Sequence, residues 1–95
     1  MLIVLSRARA AEGARDRLIS AAMEMARESR GDSGCLSYAF AAALEDPSEI
    51  TCTELWRDRA ALDAHMAHDH TSKFLSCVQG LTDGEPVMTF HTTID

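Results

Sequence analysis

Residues 35–56 carry two alternating runs hinged on a proline turn, and this pattern limits the fold more than any other stretch. Cys35 to Leu44 sets Leu36, Tyr38, Phe40, Ala42 and Leu44 against smaller residues, and Ile50 to Trp56 returns with the same period. A period of two belongs to strands covered on one face. Between them Glu45-Asp46-Pro47-Ser48 reads as a turn, because proline presets the turn dihedral and cannot extend a central strand. Strands joined this closely pair antiparallel. Pairing Ala42 with Cys52 sets Phe40 beside Glu54 and Tyr38 beside Trp56. One face then holds the bulky set Tyr38, Phe40, Leu44, Ile50 and Trp56. The other holds Ser37, Ala39, Ala41, Ala43, Thr51, Thr53 and Leu55, small and uncharged.

Three further elements and a broken helix surround this hairpin. Met1 to Arg9 begins with an aliphatic run and reads as a strand, ended by Glu12-Gly13. From Ala14 to Arg30 the apolar positions Leu18, Ala22 and Met25, with Ile19, Met23 and Ala26, recur at three and four residues, which predicts an amphipathic helix. Gly31-Asp32-Ser33-Gly34 stops it. Asp58 is placed to cap a helix from Arg59 to about Met66. A short helix over 71–79 follows a break near Asp69-His70, and Pro86 to Ile94 is a last strand. The order βαββαβ with right-handed crossovers predicts an α+β fold of the ferredoxin-like plan: a four-stranded antiparallel sheet with helices on one face. The bare Ala/Thr face suits packing on another sheet, which predicts a homodimer.

Composition removes several classes of function. The 95 residues are read as one domain spanning 1–95, with acids outnumbering bases 15 to 9 for a net charge of −6. Without a basic cluster the chain is expected to bind neither nucleic acid nor an anionic membrane surface. The first apolar run, Met1 to Leu5, is too short for a signal-peptide core, and no stretch approaches a membrane span. Cys35, Cys52 and Cys77 are odd in number and lack metal or redox spacing, so they read as small hydrophobes in a reducing cytoplasm. No glycine-rich phosphate loop and no nucleophile elbow is present, so no nucleotide or flavin cofactor is expected.

Two groups of residues could carry chemistry. Glu54, on the bulky face of a central strand, is costly unless paired. It reads as a base or orienting acceptor, or as the partner of an arginine such as Arg7 or of a backbone donor. Trp56 reads as a pocket wall offering its indole N–H to a ligand, or as core. The segment His65-Met66-Ala67-His68-Asp69-His70 is the richest cluster, with His65 and His68 one helical turn apart. No defined metal-ligand spacing is present, so no metal is assigned; an acid–base histidine over a pocket is the stronger reading. His91 is given no role.

The stretches Gly34-Cys35-Leu36-Ser37-Tyr38, Leu44-Glu45-Asp46-Pro47 and Glu54-Leu55-Trp56-Arg57-Asp58-Arg59-Ala60-Ala61-Leu62, continuing through His65 and His70, resemble the antibiotic biosynthesis monooxygenase domain and its quinol monooxygenase-like members. The resemblance implies a dimeric α+β barrel and a pocket between sheet and helices. It implies a cofactor-independent oxidation of a quinol or aromatic polyketide-like molecule by O2, with no metal, flavin or haem. It implies catalytic roles for His65, His70 and Trp56 and substrate contacts from Tyr38, Glu54, Ser6 and Phe40. Haem-degrading relatives align Ser6, Trp56 and Leu75 with their asparagine, tryptophan and haem-ligating histidine, and leucine cannot ligate iron. Other relatives are non-oxidative isomerases or lyases, or bind small metabolites without turnover, so these remain alternatives.

Overall fold

The computed structural model describes residues 1–94. Its elements run β1 (Leu2–Arg9), α1 (Arg15–Ser29), β2 (Cys35–Ala42), β3 (Glu49–Trp56), α2 (Arg59–Met66), α3 (Asp69–Val78) and β4 (Val87–Thr92). The strands form one antiparallel sheet in the order β2-β3-β1-β4. This is the expected ferredoxin-like arrangement, with three helices on a single face.

Period two decides what each strand buries. Leu2 and Val4 of β1, Ile50, Cys52, Glu54 and Trp56 of β3, and Tyr38 of β2 all point under the helices and are buried. Helix α1 answers with Leu18, Ala22, Met25 and Ala26, spaced three and four apart so that they share one stripe. Two apolar groups result. One gathers Leu2, Val4, Met25, Tyr38, Trp56 and Leu62, and the other gathers Ala14, Leu18, Ile50, Val78 and Leu81. Phe40 and Phe74 touch both. Strand β4 lies outside this cover, and all six of its residues are exposed.

The hairpin register differs from expectation by two residues. Ala42 pairs with Ile50, Phe40 with Cys52 and Tyr38 with Glu54. The turn sets this: the Glu49 N–H donates to the Asp46 carbonyl, and the Ala43 N–H donates to the Glu49 carbonyl, so β3 starts at Glu49. A shift of two keeps the side chains from Ser37 onward on their faces, so the division into bulky and small sides holds there. Two residues of the alternating run depart from it. An irregularity between Cys35 and Ser37 packs Cys35 on the core and leaves Leu36 59% exposed. Because the strand ends at Ala42, Leu44 stands fully exposed in the turn rather than on the bulky face. Cys77 is likewise exposed, so of the three cysteines only Cys52 behaves as a buried hydrophobe, with Cys35 half-covered.

Asp58 caps α2 as expected, its Oδ1 accepting the Ala61 N–H at 2.9 Å. The helical break comes earlier than the sequence suggests. Helix α2 ends at Met66, His68 holds the extended cap position, and α3 already begins at Asp69. His70 therefore sits in the first turn of α3, and His65 and His68 do not share a helix.

Gly34 ends the loop between α1 and β2 at φ +81°, where a Cβ would lie 2.5 Å from Cβ of Ala61 on α2. Gly13 has a similar φ of +77° but open space around it. Gly13→Ala is expected to lose about 1 kcal/mol from backbone strain alone. Gly34→Ala should lose a further ~1–3 kcal/mol from overpacking. Urea denaturation of the two variants side by side measures the difference.

Candidate functional site

The predicted residues separate into a sealed strip, an apolar cavity and a surface groove. Glu54 and Trp56 are two apart on β3 and so share its buried face. The Trp56 indole Nε1–H donates to Glu54 Oε1 at 2.9 Å. This pairing answers two open questions. Glu54 is satisfied by tryptophan, not by Arg7, which lies on the opposite face of β1. The indole N–H is engaged inside the protein and is not offered outward, and Trp56 is 0% exposed.

Around this pair the rings interlock. Trp56 and His65 have centroids 4.6 Å apart, Tyr38 lies 5.5 Å from His65 and 6.3 Å from Trp56, and Phe40 stands edge-on to Tyr38 at 5.8 Å. Burial sets the protonation of the strip. It raises the Glu54 carboxyl above the ordinary range, against the pull of the indole donor. It raises the Tyr38 phenol and pushes the Cys52 thiol up to about 12. It lowers His65, against the opposing effect of its hydrogen bond to Asp32.

Asp32 is the residue that sequence reasoning missed. Its Oδ2 lies 2.7 Å from Nδ1 of His65 and 2.9 Å from Nε2 of His70. Thr71, buried in the first turn of α3, donates its hydroxyl to the His65 carbonyl at 2.7 Å and fastens the same junction. The 31–34 segment read only as a helix stop. One signal was available: the strand that follows it pairs with the strand that leads into α2, so the two ends must be neighbours. The Arg57 N–H indeed donates to the Gly34 carbonyl at 2.9 Å.

Ser6 and Phe40 occupy a different place. Together with Ile50, Phe74, Leu75 and Met88 they line an almost wholly apolar cavity of ≈ 80 Å³ between the sheet and α3. His70 faces away from it into a groove of ≈ 380 Å³ between α1 and α3, beside Met25, Phe74 and Lys73. Tyr38, Glu54, Trp56 and His65 line neither hollow. A second depression of ≈ 380 Å³ lies on the helix-free face of the sheet, over Leu5, Thr51, Thr53, Val87 and Thr89. No helix among the described residues is long and apolar enough to cross a membrane.

A family model for antibiotic biosynthesis monooxygenases matches residues 1–76, from β1 into α3. The chain belongs to the antibiotic biosynthesis monooxygenase family. Solved structures share its fold. A Mycobacterium tuberculosis protein is 26% identical over 99% of this chain and 95% of its own, with a TM-score of 0.93. A crystal structure of an antibiotic biosynthesis monooxygenase is 24% identical over the full length of both chains, with a TM-score of 0.92. A Pseudomonas aeruginosa protein is 24% identical over 99% and 94%, with a TM-score of 0.90. The last two establish likeness of fold alone. No curated protein matches the sequence.

In this family member the Glu54–Trp56 pair gives a clean pH test. Because burial raises the folded carboxyl above its unfolded value, its contribution is greatest below the unfolded pKa and is lost as pH rises through the folded one. Glu54→Gln keeps an acceptor for the indole but carries no charge. The stability of wild type relative to Glu54→Gln should therefore fall from pH 4 upward and level off once the carboxyl is ionised, leaving the variant the more stable at pH 8. Chemical denaturation of both proteins across that range checks it.

Proposed function

We propose that the chain is a cofactor-independent monooxygenase that oxidises a quinol or related electron-rich aromatic molecule with O2. The observation that carries the reading is the apolar cavity under α3, flanked by the rings of Phe40 and Phe74, in a chain of this family. An electron-rich anion held in a dry slot loses the hydration that stabilises it and gives up an electron to O2 more readily. The substrate enters as the anion already formed in solvent, its first proton going to water and returning at the end. Overall the substrate loses two hydrogens and gains one oxygen atom, and the second oxygen leaves with those hydrogens as water. Ser6 is the uncharged hydroxyl on the cavity wall and is assigned to hold the substrate oxygen. Phe40 contacts the ring. Tyr38, Glu54, Trp56 and His65 act behind it as positioning residues, since their packing fixes β2 and β3.

The cavity is smaller than the ~300 Å³ at which ligand pockets begin. Leu75 and Met88 stand at its mouth, 44% and 43% exposed, and both can swing outward to admit a ring. Leu75→Trp should block that mouth without touching the buried core. With a panel of hydroquinones under an oxygen electrode, wild type is expected to consume O2, and Leu75→Trp should lower kcat/KM at least tenfold. Turnover without oxygen uptake would favour an isomerase or lyase. Ligand-induced stabilisation without turnover would favour a binding protein.

The same reading makes the working unit a homodimer in a reducing cytoplasm, closed sheet to sheet into an α+β barrel. The helix-free face supports it: Leu5 and Val87 are exposed there among threonines and alanines, and a sheet face whose centre is apolar or uncharged suits packing on a second sheet. Sedimentation should give twice the 10.4 kDa chain mass. Thr53→Arg, which sets a charge in the middle of that face, should return the mass to that of one chain.

A further inference from the structure

The loop after α1, the end of α2 and the first turn of α3 bring imidazole and carboxylate donors to one point outside the cavity assigned to the oxidation. We propose that Asp32, His65 and His70 form a binding site for a divalent first-row transition ion of the zinc type, entered from the groove between α1 and α3. One ligand atom from each residue lies within 4.8 Å of the others. Both ring nitrogens point at the same oxygen, Asp32 Oδ2, at 2.7 and 2.9 Å. His68 supplies a fourth donor near the point, its Nε2 3.6 Å from Asp32 Oδ1 and its ring stacked on His70 at 5.1 Å.

The chemistry of the set selects the ion. Two imidazoles and one carboxylate suit zinc, cobalt or nickel, whereas magnesium and calcium require oxygen ligands. Ligand atoms each ~2.1 Å from one tetrahedral ion stand about 3.4 Å apart. The donors therefore need to open by about 0.5 Å at His70 and about 0.7 Å at His65. His70, 22% exposed on its own side chain, has the freedom to move, and with His65 at 1% held in place the larger opening falls on the Asp32 carboxylate in its loop. Each ring meets the ion as the neutral tautomer whose proton is on the other nitrogen.

Charge points the same way. The Asp32 side chain is only 8% exposed, and all its ion-pair partners among the described residues are histidines. A carboxylate that deep gains more from a full positive charge than from neutral imidazoles. Glu24, Glu28 and Asp69 line the groove that leads to His70, with Lys73 as the opposing charge, so the approach favours cations. The ion would clasp the loop after α1, the end of α2 and the start of α3 together, away from the cavity assigned to the oxidation.

The test uses the full chain stripped of metal with a chelator, and then Zn2+ in a calorimeter and Co2+ in a spectrophotometer. One equivalent of Zn2+ is expected to bind and to raise Tm. Bound Co2+ should show the intense visible bands of a low-symmetry site without thiolate charge transfer. His70→Gln and Asp32→Asn should each weaken Zn2+ binding at least tenfold, while Cys77→Ser and His91→Gln leave it unchanged. His70 is a surface residue, so His70→Gln decides the matter even if Asp32→Asn does not fold. Absence of Zn2+ binding overturns the proposal. So does affinity that survives His70→Gln, or that disappears with Cys77 or His91.

Discussion

The Asp32 carboxylate receives ring nitrogens from His65 and His70, and through it the loop after α1, the end of α2 and the start of α3 meet at one atom. Much else follows from this meeting. His65 is held with its ring against Trp56 and Tyr38, so the aromatic strip of the sheet has a fixed roof. The start of α3 is fixed with it, and the direction of α3 decides where Phe74 and Val78 come down on the sheet. Gly34 makes the arrangement possible, because any side chain there would push the loop off α2. A polar junction thus sets the geometry of an apolar core, in keeping with the high stakes of buried hydrogen-bonded groups.

The sequence exposed the elements more fully than their junctions. Period two and period 3.6 are properties of neighbouring residues, so β1, α1, β2 and β3 could be read locally, along with the Asp58 cap. Register depends on how a turn closes, and the bonds made by Glu49 and Ala43 moved the pairing by two and left Leu44 in solvent. The Trp56–Glu54 bond was within reach of the pattern, since both residues share one strand face. The Asp32 junction was legible only in outline, from the hairpin that sets the 31–34 loop beside the start of α2. Its partners lie 33 and 38 positions away, and only the assembled topology brings them together.

The same separation explains the distribution of the candidate site. Residues chosen for their chemistry (Tyr38, Glu54, Trp56, His65) are drawn into the interior because they are also large and partly apolar. Ser6 and Phe40, modest as candidates, line the cavity because β1 and β2 run beneath α3 there. Burial then controls the chemistry of what is enclosed. The carboxyl, phenol and thiol on the buried strand faces are all pushed toward their neutral forms.

Strand β4 is little covered by the helices and has one neighbour beside it. It pairs only with β1, its six residues are all exposed, and it meets the helices through Arg59 over the ring of Phe90 at 5.5 Å and through Met88 beside α3 at the cavity. The bridge between Ala10 and Thr82 and the bond from the Asp83 N–H to the Arg9 carbonyl fasten the loop that leads into it, not the strand itself. Local stability follows buried contact, so this strand is the unit that opens before the others do. Met88, which stands at the mouth of the cavity, rides on it. The mouth of the cavity therefore has one wall on a helix and the other on the edge strand of the sheet, the part of the fold with least buried contact.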